Sequence, residues 1–145
     1  MLFQRKATKI FALLLTLLFN VWTPTASAAL NDQYAMVFFF RSDCPYCHQF
    51  APTLKQFSQI NGLQTYAFSL DGKALNEYPV PIPATPESSQ MFFENPRSIT
   101  VPATFLINVN SRKFVRVSIG NVSAQELTQS VNGIFNDHSV LEAMQ

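Results

Sequence analysis

"FFFRSDCPYCHQFAP", residues 38–52, holds both cysteines of the chain, Cys44 and Cys47, with His48 directly after the second. A C-x-x-C pair followed by His serves three chemistries: a reversible disulfide, covalently attached c-type haem, or part of a zinc site. The flanking residues weigh between them. "YAMVFFF" (34–40) is a short unbroken apolar run that reads as a buried central strand, and Arg41-Ser42-Asp43 end it. From Pro45 onward Phe50, Leu54, Phe57 and Ile60 recur at steps of four and three, one face of a helix. Pro45 suits its first turn and Asn61-Gly62 stop it, while Pro52 falls inside and is expected to kink it.

A cysteine at such a strand-to-helix junction meets unpaired backbone N–H groups and the positive end of the helix dipole, which favour its thiolate. Cys44 is therefore the candidate nucleophile. Cys47, one turn inward, is the candidate resolving thiol, and the two-residue spacing lets both sulfurs meet. Pro45 removes one N–H donor from the loop, and Tyr46 is a bulky residue expected at the surface beside the site. His48, when protonated, would lower a cysteine pKa, whereas Asp43 would act the other way. Haem would need an enclosing, largely helical pocket and an axial partner, for which only His138 offers itself. Structural zinc would need four ligands, and only His48 and His138 remain to supplement the cysteines. A purely structural disulfide closing so short a loop would stabilise little.

The 145 residues fit one domain with a substantial core: 48 % are hydrophobic, fourteen of them Phe. Net charge is +1 and no basic run lies beyond the N-terminus, so nucleic acid is a poor partner. Residues 1–28 read as a secretory signal. Arg5, Lys6 and Lys9 precede the apolar "IFALLLTLLFNVW", and Ala26-Ser27-Ala28 offers a cleavage site. That thirteen-residue run is shorter than the roughly 20 residues a membrane-spanning helix needs, so no stable anchor is expected after cleavage. Export favours disulfide chemistry.

Residues 29–145 read as one α/β domain. "LQTYAFSL" (63–70) is a second strand, and "EYPVPIPATP" (77–86), with prolines at 79, 81, 83 and 86, an extended loop. A short helix is expected over 87–94. Strands 102–109 and 113–120, joined through Asn110-Ser111, form an antiparallel hairpin. A last helix follows, capped by Ser123 with Glu126 and burying Leu127, Val131, Ile134 and Phe135. Strand, helix, strand, short helix, hairpin and helix make a mixed sheet with helices on both faces.

The combination resembles the thioredoxin superfamily. A strand leads directly into C-P-Y-C at a helix start, Pro52 stands eight residues after Cys44, and "TVPATFLIN" resembles the segment that carries a cis-proline facing the disulfide. The resemblance makes Pro102 that proline, with Val101 backbone free to pair with an extended substrate. "FFFRSDCPYCHQFAPTLKQFSQINGLQTYAFSLDG", "VPATFLINVNSRKF" and the proline-rich stretch between are more closely similar to the TrbB family of F-type conjugative transfer systems. This implies a periplasmic thiol-disulfide isomerase or oxidase acting on exported conjugation and pilus proteins, served by a separate redox partner. No cofactor beyond a Cys44–Cys47 disulfide and no metal are implied. An alternative is an assembly protein whose thioredoxin fold presents a peptide groove, with loop 79–86 contacting partners and no essential redox role.

Two departures stand out. Thioredoxins keep a buried Asp six residues before the first cysteine, where this chain has Phe38. Dimeric bacterial isomerases carry an N-terminal dimerisation domain, for which residues 29–34 leave no room, so a monomer is expected. The haem reading has a direct check. The disulfide reading expects no Soret band in the visible spectrum of the purified protein; a band surviving acid–acetone extraction would establish covalent haem instead.

Overall fold

The computed structural model describes residues 32–145; the signal segment read at 1–28 lies outside them. Among the described residues no helix is long and apolar enough to cross a membrane. Strand β1 (Tyr34–Phe40) leads into helix α1 (Pro45–Asn61), then β2 (Gln64–Ser69), β3 (Ile82–Pro83), α2 (Pro86–Phe92), the strands β4 (Ala103–Asn108) and β5 (Phe114–Ile119), and the helices α3 (Ala124–Asn136) and α4 (His138–Ala143). The sheet order is β3-β2-β1-β4-β5. β1–β2 and β2–β3 are parallel, β1–β4 and β4–β5 antiparallel. This is the expected mixed α/β sheet of a thioredoxin-like fold.

β1 owes its central place to composition. All seven of its residues are buried, which only a strand covered on both faces sustains. Met36, Phe38 and Phe40 point to one side, where Phe50, Ala51 and Leu54 of α1 and Leu127 and Val131 of α3 meet them. Val37 and Phe39 point to the other. There Phe39 lies 4.9–6.2 Å, ring centre to ring centre, from Phe68, Phe92, Phe93 and Phe105. Period-two alternation thus supplies two cores from one apolar run.

Helix α1 runs through Pro52, whose missing N–H leaves the His48 carbonyl without its intrahelical donor. Gly62 ends it in the left-handed conformation (φ 66°), its N–H donating back to the Gln59 and Ser58 carbonyls. The capping box at Ser123 and Glu126 forms as read, each side chain bonding the other's backbone N–H.

Four expectations need correction. Ile60, read onto the apolar face of α1, is 75 % exposed, because the last turn runs past the edge of the core. Loop 77–86 is not wholly irregular: Ile82 and Pro83 pair with Phe68 and Ser69 as the edge strand β3. The hairpin connection is longer than Asn110-Ser111, since β4 ends at Asn108 and β5 starts at Phe114. Arg112 turns this connection at φ 62°, and Asn108 Oδ1 accepts from the Asn110 and Ser111 N–H groups. Finally, the helix capped by Ser123 is not the last, since His138–Ala143 form α4 after it. Asp137 caps that helix, and the buried Met144 beyond it is held through its carbonyl by Asn108 Nδ2 and Ser111 Oγ.

The contrast between Phe39 and Ile60 is testable by urea unfolding. Phe39→Ala should cost about 3–5 kcal/mol, as for other buried aromatic truncations. Ile60→Ala should stay within about 0.5 kcal/mol, as for an exposed position.

Candidate active site

The end of β1 and the start of α1 converge on the two cysteines. Cys44 is the N-cap of α1, in extended conformation (φ −93°, ψ 109°), and its sulfur accepts the Cys47 N–H at 3.1 Å. A capping side chain normally offers an oxygen here. In this helix the sulfur takes that place, where an anionic form is favoured by both the N–H donor and the helix dipole. Cys44 and Cys47 are disulfide-bonded, with Cα atoms 5.2 Å apart. Their environments differ: Cys44 is half-buried, not fully exposed, whereas Cys47 is 0 % exposed. Pro45 occupies the first helical turn, and Tyr46 is 63 % exposed beside it.

Across from the sulfurs lies the loop before β4. The Val101–Pro102 peptide is cis, and the Val101 carbonyl oxygen stands 3.9 Å from Cys44 Sγ. Pro102 is buried and its carbonyl accepts the Gly120 N–H at 2.7 Å. The neighbouring Asn121 donates from Nδ2 to Gln49 Oε1 at 2.9 Å. Segments distant in sequence are thereby tied around one face of the disulfide.

Asp43 and His48 are both close by, but differently engaged. Asp43 takes a two-pronged contact from Arg41 (Nε–Oδ1 2.9 Å, Nη2–Oδ2 3.1 Å), and these hydrogen bonds hold its carboxyl below the usual range. His48 turns Nε2 toward the Ser42 carbonyl at 2.7 Å. Phe38 is fully buried among Phe40, Phe50 and Tyr78, at ring distances of 5.2, 5.8 and 5.4 Å. Burial pushes the Tyr78 phenol up to about 12, so it stays neutral. Among the described residues the buried polar side chains besides the Tyr34 phenol are Ser58, Ser69, Ser89, Thr104 and Asn108, none of which is a carboxyl. Among the described residues the interior beneath the cysteines therefore offers no carboxylate.

Two residues of this region carried no local signal in the sequence. Asp71, at the end of β2, accepts from Ser42 N (3.2 and 3.1 Å), Ser42 Oγ (2.6 Å) and Ser69 Oγ (2.9 Å). Partial burial opposes its charge, yet these donors and the Lys73 N–H outweigh that and hold the carboxyl far below the ordinary range. Ser42 and Asp71 lie 29 residues apart, and only parallel β1–β2 pairing brings them together.

The sign of a pH effect follows. A carboxyl depressed in the folded state contributes stability above its unfolded pKa, about 4, and loses that contribution as pH falls through the folded value. In urea titrations the stability gap between wild type and Asp71→Asn should be full at pH 6–7. It should shrink steadily below about pH 4; a gap constant with pH would show that Asp71 is not held as an anion.

Comparison with known proteins finds the following. A model of the family described as "TraF: F plasmid transfer operon protein" matches residues 24–132. The protein TrbB of Escherichia coli is 41 % identical over 78 residues, covering 54 % of this chain and 42 % of that relative. This match thus spans less than half the length of that relative. Among solved structures, a thiol:disulfide interchange protein of the thioredoxin family from Chlorobium tepidum is 21 % identical, with 74 % of this chain and 83 % of that one covered and a TM-score of 0.50. The exposed lipoprotein thioredoxin of Streptococcus pneumoniae is 12 % identical, covering 74 % of this chain and 89 % of that one, with a TM-score of 0.54. At these identities the two structures establish a shared fold.

Proposed function

This chain belongs to the TraF family of F plasmid transfer operon proteins, and from that premise we propose that it is an exported thiol–disulfide oxidoreductase acting on secreted conjugation proteins. One observation carries the reading: the Cys44 sulfur is the acceptor at the N-cap of α1, bonded to a buried Cys47 and faced by the Val101 carbonyl.

The chemistry runs in two exchanges. In the reduced protein the Cys44 thiolate attacks one sulfur of a client disulfide. A Cys44–client bond forms, and the other client sulfur leaves as a thiolate that takes a proton from water. Cys47 then gives up its proton to water and attacks Cys44 Sγ, releasing the client's remaining sulfur and restoring the Cys44–Cys47 bond. The client gains two electrons and the protein loses two. Run backwards, the same steps oxidise a client. If a second client thiol attacks the mixed disulfide before Cys47 does, the client is isomerised without net electron transfer.

The residues divide this work. Half-exposed Cys44 meets the client, and buried Cys47 meets only Cys44. Val101, its backbone unencumbered by the following proline, pairs with an extended client chain, while Tyr46 and Pro45 border the entry. His48 and Asp43 tune the acidity of Cys44. Isomerase or oxidase duty in the periplasm, on pilus-assembly clients and with a separate redox partner, is the form that likeness to TrbB supports. The exchange needs no cofactor beyond the protein's own disulfide.

Trapping distinguishes the two thiols. Cys47→Ala should accumulate mixed disulfides with exported proteins through Cys44, visible on non-reducing gels and lost on reduction. Cys44→Ala should trap none. Two equally inert variants, in cells whose transfer and client disulfides are normal, would favour the assembly role instead.

A further inference from the structure

Ser42 is fixed at all three of its hydrogen-bonding groups. Its N–H and Oγ donate to Asp71 from the β2 side, and its carbonyl meets His48 from the α1 side. A backbone carbonyl only accepts, so His48 Nε2 must carry a proton there. Nδ1 makes no hydrogen bond among the described residues, and it is the nitrogen left to gain or lose a proton. The Nε2–H···O=C bond survives either way, so the ring keeps its place in both charge states. That place is one helical turn below Cys44 and next to Cys47 in the chain.

We propose that Asp71 is a positioning residue for thiol–disulfide exchange, acting through Ser42 to hold His48 where its imidazolium favours the Cys44 thiolate. Among the described residues the interior offers no carboxylate or imidazole for that purpose, with Phe38 packed among rings. The charge that adds to the helix-end effect on Cys44 comes instead from His48 at the surface, placed by a chain of contacts from the end of β2. Asp71 itself touches neither sulfur. Its carboxylate, with five donor contacts, is the fixed end of that chain. The other charged groups on the adjoining segments are Arg41 and Asp43, paired with one another, and Lys73 beyond β2. Residues 99–102 and 120–122, on the opposite side, bring no charge. The step involves one proton only: Nδ1 takes it from water when the imidazolium forms and returns it to water afterwards.

The inference rests on the thiol–disulfide reading above, and its test separates the two. The reduced protein is alkylated with iodoacetamide across pH 4–9, and His48 is followed by its ring nitrogen-15 shifts. Wild type should show the Nε2–H tautomer in neutral His48. His48→Ala should slow alkylation near pH 6 by roughly three- to fivefold, the scale of one exposed ion pair. Asp71→Ala should slow it by a similar factor and scramble the His48 tautomer, yet add nothing in the His48→Ala background. Asp71→Asn, which keeps an accepting oxygen, and Ser42→Ala, which keeps the carbonyl, should fall between and guard against loss of folding. An Asp71→Ala effect undiminished without His48, or an unchanged His48 tautomer in folded Asp71 variants, would overturn the proposal while leaving the exchange chemistry intact. A Cys44 that alkylates no faster than an ordinary thiol in every variant would sink both.

Discussion

Burial of β1 on both faces is the constraint from which the rest of the molecule follows. A seven-residue strand with no polar side chain but the Tyr34 hydroxyl must lie between neighbours and beneath helices on either side. Pairing with β2 and β4 meets the first requirement, and the two aromatic cores meet the second. The strand can then end in only one way. Its last apolar residue, Phe40, sits at the rim of the sheet, and the next four residues must turn the chain into α1. The reactive sulfur is thus delivered to the surface by a strand whose one-residue slip would swap Phe38 and Phe40 with Phe39 between two differently shaped cores.

That rigidity gives the pair of cysteines unequal surroundings without any special device. The first sulfur sits at the mouth of the helix and the second one turn inside, in the same cluster as Phe38 and Phe50. Exchange chemistry needs one accessible and one protected sulfur, and a helix start provides this difference at a spacing of three residues. The cis peptide opposite adds an open backbone carbonyl at the right height.

Much of this was legible in the chain itself. The apolar run 34–40, the helix period from Phe50 to Phe57, the Gly62 stop and the Ser123/Glu126 cap are local patterns, and local patterns survive into the fold. The misreadings came where tertiary context decides. Ile60 has the right spacing but lies one turn too far along α1 to reach the core. β3 is too short, and too rich in proline, to be seen without the neighbour it pairs with. α4 needs Asp137 as a cap and Asn108 as a clamp, a contact spanning 36 residues. At the site, Cys44 and Cys47 announced themselves by type and spacing, and Pro102 through the resemblance of its segment to that of thioredoxins. Asp71 and Ser42 did not, because a serine in a loop and an aspartate at a strand end are ordinary until parallel pairing sets them side by side.

The outer edge at β3 carries one more consequence. An open sheet edge is a standing template for any loose strand seeking a sheet to join. On that side the sheet ends in two exposed residues, with Pro81 before them and Pro83 as the second, so amide donors for an incoming strand are scarce. That rim, which could otherwise let chains add strand to strand into fibres, is blunted.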